Sequence, residues 1–199
     1  MQLLTPPSNF YKPSLQYFKR RDTIPLNSRG LWQIERGAIR TLTWNEQGKI
    51  ITLGIWGKGD LVGQPLSEIA PYEVECLSSV SAILIPCDRW YLLVDSLLEH
   101  ARQAGVFTTI LRCEPVRDRV RYFLHWLAQK FGHRVTYGKL IAVRLSHQCI
   151  AEVLGTSRVT VTRILKQLEA EGTIVRDRRD LIWREEEPIP KPPLEGNWG

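Results

Sequence analysis

The sequence predicts an α+β protein with an N-terminal β-roll (jelly roll), a connecting helix and a C-terminal winged helix-turn-helix. Many short β-branched and aromatic segments lie close together in the first half of the 199-residue chain, which is typical of a jelly roll. Apolar residues recur at helical spacing from Arg89 onward, and a helix pair followed by a strand spans residues 145–175. We therefore expect a β-roll over residues 1–87, a connecting helix over 88–114, a winged helix-turn-helix over 115–184, and an acidic, proline-rich tail over 185–199.

Four segments of the first half have the composition of strands, because β-branched and aromatic residues favour a pleated, half-buried surface. They are Leu31–Ile34, Ala38–Thr43, Ile50–Trp56 and Val80–Ile85. Turn residues separate them at Asn27–Gly30, Asn45–Gly48 and Lys58–Asp60, and Pro86 is expected to end the last strand. This spacing predicts a compact roll with one interior.

Two helices are predicted between the β-roll and the helix pair. The first has Asp88 as its expected N-cap and ends before Pro115, because the residue that precedes a proline avoids helical backbone angles. The second runs from Val116 to Phe131 and stops at Gly132. Three arginines of this helix are predicted to face outward: Arg117, Arg119 and Arg121. Residues 133–144 are expected to form a loop with one short strand.

The helix pair has the caps, the turn and the apolar stripe that a helix-turn-helix needs. Ser146 is predicted to cap the first helix and Thr156 the second, and Gly155 permits the sharp turn between them. Four apolar residues of the second helix repeat at helical spacing and therefore face inward: Val161, Ile164, Leu165 and Leu168. The opposite face is basic and polar, as a helix in the major groove of DNA requires.

Residues near that opposite face are predicted to bind DNA in two ways. Arginine, threonine and valine can recognise base edges in the major groove, so the predicted base-reading residues are Arg158, Val159, Thr162 and Arg163. Phosphate contacts add affinity without sequence information. They are predicted for Ser146, His147, Thr156, Ser157, Thr160, Lys166, Arg176, Arg178 and Arg179. The last three lie on a predicted wing, formed by strands at Thr173–Val175 and Leu181–Trp183.

The charge of the chain is uneven. Residues 1–111 carry 11 basic and 10 acidic side chains, whereas residues 112–184 carry 15 and 7. A strongly basic second half indicates a polyanionic partner, here double-stranded DNA. A helical hairpin with a solvated basic face is the simpler alternative, and the agreement of caps, turn, stripe and wing argues against it.

Composition argues against several other classes of protein. No apolar run approaches the roughly 20 residues that span a bilayer, and no signal-peptide pattern is present, so we expect a cytoplasmic protein without membrane contact. The four cysteines lack metal-binding spacing and are expected to be reduced, partly buried thiols. No nucleophile–base arrangement or phosphate loop is present, so no enzymatic activity is expected.

Residues 145–175 resemble the winged helix-turn-helix of the CRP/FNR regulators. The match is carried by Ile150-Ala151, Gly155, Ser157-Arg158, Thr160-Val161, Arg163-Ile164-Leu165 and Leu168-Glu169. The run from Arg158 to Arg163 is most similar to the cyanobacterial nitrogen-control branch. This resemblance implies that Arg158, Val159 and Arg163 read bases in a palindrome of GTA-like half-sites. Over residues 17–184 the looser resemblance implies a cyclic-nucleotide-binding-like sensor roll, a homodimer joined by the connecting helix, and contact with RNA polymerase.

The chain departs from that family in its sensor half, so no cofactor is expected. The cyclic-nucleotide pocket needs a Gly-Glu pair and a later Arg-Ser pair, but Gln64-Pro65 follow Gly63, and residues 66–80 contain no Lys or Arg. A cyclic phosphate would lack a cationic partner there. Cys76 and Cys87 are expected to be core thiols rather than haem ligands, and no cysteine precedes Cys76 to hold an iron–sulfur cluster. The ligands of a 2-oxoglutarate site cannot be matched either, and the effector is left open.

The connecting segment is about ten residues shorter than the family norm, which is about three helical turns. The dimer is therefore held either by a shorter helix or with contributions from the barrel and the tail. The missing anion site and the seven tryptophans leave a second interpretation open. In that interpretation the chain is an interaction protein whose β-roll binds a protein partner, with DNA binding secondary.

Overall fold

The computed structural model describes residues 14–178 and 180–184. Residues 1–13, Arg179 and the predicted tail lie outside the described residues. The N-terminal part contains β1 (Leu15–Phe18), β2 (Gly30–Arg36), β3 (Ile39–Trp44), β4 (Ile50–Trp56), β5 (Leu61–Val62), β6 (Glu73–Cys76) and β7 (Val80–Pro86). The four strands predicted from composition are confirmed by their overlap with β2, β3, β4 and β7; of their residues only Ala38 lies outside a strand.

These strands form two antiparallel sheets around an aromatic interior. One sheet has the order β1-β7-β2-β5 and the other has the order β4-β3-β6. Both sheets contribute to one buried cluster, which includes Trp32, Ile39, Trp56 and Val74. The predicted β-roll is therefore present, and large side chains occupy its interior.

The connecting region begins with a 3-10 helix over Cys87–Leu93, and α1 follows over Val94–Arg112. The prediction of Asp88 as the N-cap of this α-helix is wrong, because the chain makes 3-10 turns until Leu93. Those turns bury Leu93 and pack Trp90 against the β-roll, where the Trp90 indole donates to the Ile85 carbonyl at 3.2 Å. Packing against the β-roll therefore determines where α1 begins.

The C-terminal part combines three helices with a four-stranded sheet. Its elements are α2 (Val116–Phe131), β8 (Gly132–Val135), β9 (Gly138–Ile141), α3 (His147–Leu154), α4 (Arg158–Ala170), β10 (Ile174–Asp177) and β11 (Asp180–Trp183). The strands have the order β10-β11-β9-β8. Residues 133–144, predicted as a loop with one strand, therefore contribute two paired strands, because β9 pairs with both β8 and the wing strand β11. None of the helices described is long and apolar enough to cross a membrane.

Arg119 of α2 faces into the C-terminal part, so its predicted outward orientation is wrong. Its Nε donates to the Cys113 carbonyl and its Nη1 donates to the Leu154 carbonyl, both at 3.0 Å. Only 14% of the Arg119 side chain is exposed. Leu154 is the last residue of α3, so Arg119 satisfies one of the carbonyls that a helix end leaves without a partner.

The β-roll and the C-terminal part pack directly on each other. One buried cluster contains residues from the β-roll, from α1 and from the inner faces of α2, α3 and α4. The β-roll contributes Ala38, Ile55 and Leu77, and α1 contributes Phe107 and Ile110. Arg40 of β3 crosses the same boundary. Its Nε lies 2.6 Å from the Glu75 carboxylate and its Nη1 lies 2.8 Å from the Glu152 carboxylate of α3.

Candidate nucleic-acid interface

One glycine and two serine caps fix the turn between α3 and α4. Gly155 has a φ of 62°, in the left-handed region that favours glycine. The Ser146 hydroxyl accepts a hydrogen bond from the Cys149 amide, and the Ser157 hydroxyl accepts one from the Thr160 amide, both at 3.1 Å. Each serine thus satisfies a backbone donor that the start of a helix leaves unpaired. The predicted cap at Ser146 is confirmed.

The cap of α4 is Ser157, so the prediction that Thr156 caps this helix is wrong. The Thr156 amide donates to the Ala151 carbonyl at 3.0 Å, which places Thr156 in the turn that closes α3. The first helical residue of α4 is Arg158, and the cap is the residue immediately before it.

The helix α4 has one face in the core and one face exposed. Its inner residues are at most 1% exposed and are those predicted: Val161, Ile164, Leu165 and Leu168. Arg158, Val159, Arg163 and Lys166 are exposed on the opposite side. Val159 is 78% exposed, so its side chain does not contribute to the hydrophobic core. An exposed valine between basic residues suits contact with a thymine methyl group in the major groove.

Three of the hydroxyl groups predicted to contact DNA already form hydrogen bonds within the helix pair. The Thr162 hydroxyl donates to the Arg158 carbonyl at 2.8 Å and lies 2.8 Å from Nδ1 of His147. The hydroxyls of Ser157 and Thr160 lie 2.9 Å apart at the cap of α4. Thr162 therefore joins α3 to α4, and any bond that it makes to a base must use its remaining lone pair.

His147 connects the helix pair electrostatically to the wing. Burial, and then the positive charges of Arg176 and Arg158, lower the pKa of His147 below its usual range. The ring is therefore neutral at pH 7 and bonds Thr162 in the free protein. Arg158 of α4 and Arg176 of β10 therefore both lie close enough to His147 of α3 to form one electropositive patch around it. A phosphate anion beside His147 would favour its charged form.

The wing adds exposed arginines to this patch. β10 and β11 pair in register from Ile174↔Trp183 to Asp177↔Asp180, and Arg178 lies in the turn with a φ of 53°. The Nε of Arg176 lies 3.5 Å from the Glu169 carboxylate in an exposed ion pair, which holds it only weakly. The predicted wing is therefore present, whereas the predicted contact Arg179 lies outside the described residues.

Arg144 forms an ion pair with the wing that was not predicted from the sequence. Its Nε and Nη2 donate to the two carboxylate oxygens of Asp180, at 2.6 and 3.0 Å. These bonds from Arg144 lower the pKa of Asp180 below its usual range. The two residues are far apart in the chain and meet only because β9 pairs with β11, so no local pattern could have revealed the pair.

Several residues in the expected nucleotide region of the β-roll form hydrogen bonds with one another. Gln64 lies in a short 3-10 turn, and its side-chain amide bonds within that turn. Nε1 of the buried Trp56 donates to the Thr41 hydroxyl at 3.0 Å. Burial raises the pKa of Tyr72 to about 12, and the Tyr72 hydroxyl bonds the Gly63 backbone and Thr41. The polar groups of these side chains are therefore paired within the protein.

The cysteines follow the predicted pattern in part. All four are free, Cys76 and Cys113 are buried, and Cys149 is half-buried. Cys76 belongs to the core of the β-roll, where burial raises the pKa of its thiol to about 12. Cys87 is exposed, so its prediction as a core thiol is wrong. It begins the 3-10 helix at the surface and has no core to enter.

Comparison with known proteins gives the same architecture. The family profile of the Crp-like helix-turn-helix domain matches residues 118–187. The regulatory protein CysR from Synechococcus elongatus is 37% identical over 176 residues, which cover 87% of this chain and 85% of CysR. The global nitrogen regulator from Synechocystis sp. is 28% identical over 187 residues, covering 84% of this chain and 83% of that protein. In fold, a CRP-family transcriptional regulator from Thermus thermophilus matches with a TM-score of 0.73 at 24% identity, over 85% of this chain and 92% of that chain.

A β-roll joined to a winged helix-turn-helix with an exposed basic recognition helix defines a DNA-binding transcriptional regulator. The chain belongs to the CRP/FNR family of transcriptional regulators, as its identity to CysR over most of both chains shows. The resemblance inferred from residues 145–175 is therefore confirmed.

Proposed function

We propose that the protein binds a palindromic DNA site as a homodimer and regulates transcription without binding a cyclic nucleotide. The observation that carries this proposal is the geometry of α4, whose apolar face is buried while Arg158, Val159 and Arg163 are exposed. A two-fold dimer would present two such helices to successive turns of the major groove, which a palindrome matches. Contact with RNA polymerase belongs to the same proposal, as membership of the family implies.

The residues predicted to contact DNA divide into two proposed roles. Arg158, Val159, Thr162 and Arg163 read base edges, where a well-formed bidentate arginine–guanine contact discriminates by about 1–3 kcal/mol. The phosphate contacts are Ser146, His147, Thr156, Ser157, Thr160, Lys166, Arg176, Arg178 and Arg179. Contacts of the second kind set affinity and salt dependence but carry no sequence information.

The exposed face of α1 supports the homodimer. Leu98 is 50% exposed, and Ala101 and Gly105 follow it on the same side of the helix. A Cβ atom added to Gly105 would meet nothing within 4 Å, so the backbone of a second helix can approach closely here. An apolar residue followed by two small ones suits helix–helix contact, and 19 residues make α1 about 28 Å long.

The interior of the β-roll supports a function without cyclic nucleotide. Trp56 and Tyr72 are bonded to Thr41, and no Lys or Arg lies in residues 66–80 to meet a cyclic phosphate. A ligand would have to displace packed aromatic side chains and would still lack a cationic partner.

The alternative, a β-roll that binds a protein partner, has one observation in its favour. Tyr17 on the edge strand β1 is 77% exposed and Leu15 is 40% exposed. Trp44 is the one exposed tryptophan among those in the described part of the chain, so tryptophan does not form a contiguous partner surface. The DNA-binding proposal therefore has the stronger support.

The test is binding of the purified protein to two fluorescent duplexes, one with GTA-N8-TAC and one with the same bases scrambled. We expect preference for the palindrome at physiological salt. Arg158→Ala should abolish the preference, whereas Arg178→Ala should weaken binding to both duplexes alike and reduce the salt slope. Equal affinity of the wild-type protein for the two duplexes would refute the proposal.

A further inference from the structure

A basic pocket lies where the β-roll meets the start of α3. Its volume is about 180 Å³. Its charged lining consists of Arg20, Arg21, Arg40, Glu75, Arg144 and Glu152. The hydroxyl-bearing Ser146 and the amide-bearing Gln148, at the beginning of α3, also line it. A ligand in this pocket would touch the sensor half and the helix-turn-helix at the same time.

The carboxylates around this pocket are already paired. Glu75 and Glu152 both bond Arg40, which is 7% exposed, at 2.6 and 2.8 Å. The nearby Asp180 is bonded by Arg144. Arg20 and Arg21 remain, and among the residues that the structure describes neither has a carboxylate partner.

The guanidinium of Arg20 is directed toward the helix pair. Its Nη2 donates a hydrogen bond to the Arg144 carbonyl at 3.3 Å. This bond uses one N–H group of the guanidinium and does not neutralise its positive charge. Its charge also acts on Cys149 of α3. Burial raises the pKa of that thiol to about 11, and the positive charges of Arg40 and Arg20 oppose the rise. Arg20 and Arg40 therefore converge on the same part of α3.

The backbone of this arginine turn is held in place by the β-roll. The Arg21 amide donates to the Cys76 carbonyl at 2.8 Å, and the Lys19 amide donates to the Asp22 carboxylate at 2.7 Å. Arg21 has a φ of 74°, a left-handed conformation that is uncommon for residues other than glycine. The two unpaired cations are therefore presented from an anchored turn rather than from a free loop.

We propose that this pocket binds a small tetrahedral oxyanion, namely inorganic phosphate, sulfate or the phosphate group of a small metabolite. A guanidinium presents donors in a planar fork that matches such oxyanions, and the pocket supplies two unpaired guanidinium groups beside the Ser146 hydroxyl and the Gln148 amide. The volume is below the roughly 300 Å³ at which pockets for drug-sized ligands begin, so it favours an ion or a single phosphate group.

Such an anion would couple the sensor half to DNA binding, a consequence that rests on the proposed function. Ser146 lines the pocket and is also a proposed DNA-phosphate contact. An oxyanion held there competes for that position, so it weakens binding to DNA more than chloride does at the same ionic strength. Binding of the anion itself does not depend on DNA and is measured without it.

The test uses the full chain free of DNA, titrated with sodium phosphate, sodium sulfate, glycerol phosphate or sodium chloride at constant ionic strength in the low millimolar range. We expect at least one oxyanion to give a calorimetric binding signal and to raise the midpoint temperature of unfolding. Sodium chloride should do neither. The variant Arg20→Gln/Arg21→Asn should bind at least ten-fold more weakly, because asparagine tolerates the left-handed backbone that Arg21 has. The matched control Arg29→Ala/Lys58→Ala removes two exposed charges elsewhere and should bind as the wild type does.

Three results are informative. Oxyanion binding that is lost in the Arg20/Arg21 variant, with affinity for DNA in chloride buffer unchanged within about two-fold, supports the pocket. Equal responses of the wild type and that variant overturn it, because the anion then acts on the solvent or elsewhere on the surface. No response of the wild type, together with weaker DNA binding by the variant, also overturns it and assigns the two arginines to the DNA backbone. If the wild-type protein binds oxyanions but shows no preference for the palindromic duplex, the proposed function is refuted and the proposed anion pocket is not.

Discussion

At the scale of single residues, the side chains proposed to contact DNA differ in how many hydrogen bonds they already make within the protein. Arg158, Val159 and Arg163 are exposed, whereas Thr162 already bonds His147 and the Arg158 carbonyl. Thr162 was predicted from chemistry that allows a threonine to bond a base, and the sequence contained no sign that its hydroxyl bridges two helices. Side-chain type indicates what a residue can bind, but only packing shows which bonds are already made.

His147 should make DNA affinity depend on pH. Its pKa is lowered in the free protein by burial and by Arg176 and Arg158, and a DNA phosphate would raise that pKa again. Proton uptake therefore accompanies binding, and affinity should increase as the pH falls from about 8 toward 5.5. Fluorescence anisotropy at constant ionic strength should show this slope in the wild type and a flatter one in His147→Gln. An equal slope in both proteins would show that His147 does not contact phosphate.

The same group has the opposite effect on folding. Because the folded-state pKa of His147 is depressed, its contribution to stability is present above the ordinary histidine pKa and is lost as the pH falls through the lowered value. Acidification should therefore tighten DNA binding while it lowers the free energy of unfolding, and urea titrations across the same pH range measure the second effect.

The corrected cap of α4 gives a paired prediction on stability. Ser157→Ala removes the acceptor for the Thr160 amide and should lower the free energy of unfolding by about 1 kcal/mol. Thr156→Ala is the matched control and should cost clearly less, because Thr156 lies in the turn and does not cap the helix. Urea denaturation of both variants checks this, and a larger loss for Thr156→Ala would contradict the assignment.

At the scale of elements, local patterns predicted the strands and helices well and their ends less well. The stripe of α4 and the turn at Gly155 follow from residues near one another in sequence, and both are confirmed. The start of α1 was misplaced at Asp88, since Leu93 and Trp90 must first pack on the β-roll. Only one strand was predicted where β8 and β9 both occur, because the two exist through pairing with each other and with β11. These two errors lie where distant residues determine an element's limits.

The exposed face of α1 should hold the proposed dimer. Leu98→Asp places a charge in the contact, where burial without a partner is costly, so the variant should be monomeric at micromolar concentration. Light scattering after size exclusion measures the mass. Leu26→Asp is the matched control, because Leu26 is also exposed, at 40%, but lies outside α1. A dimeric Leu98→Asp protein would direct attention to other surfaces.

At the scale of the whole molecule, one buried ion pair joins all three parts of the chain. Nζ of Lys130 in α2 lies 2.6 Å from the carboxylate of Asp60 in the β-roll, and the same carboxylate accepts a hydrogen bond from Gln103 of α1 at 2.9 Å. Burial, which outweighs the attraction of Asp60, lowers the pKa of Lys130 below its usual range. The side chains are only 15% and 5% exposed, so each charge depends on the other.

Removal of one partner should therefore destabilise the entire molecule. Lys130→Met leaves the Asp60 carboxylate buried without its cation and should cost about 3–5 kcal/mol in the free energy of unfolding. The exposed Lys49→Met control should stay within about 0.5 kcal/mol of the wild type. Urea denaturation, monitored by tryptophan fluorescence and by circular dichroism, should show one coincident transition that shifts as a unit. The pair was not predicted from the sequence, because ion pairs between distant segments leave no local pattern.

The buried cluster shared by Ala38, Ile55 and Leu77 with the inner faces of the C-terminal helices bears on how the protein can be dissected. A fragment containing only the DNA-reading half would carry a bare apolar surface where the roll had been, and it would tend to aggregate. Limited proteolysis should accordingly release no long-lived piece. A chimaera that joins the C-terminal part to a different sensor domain would fold only if that domain supplied apolar contacts equivalent to those of Ala38, Ile55 and Leu77.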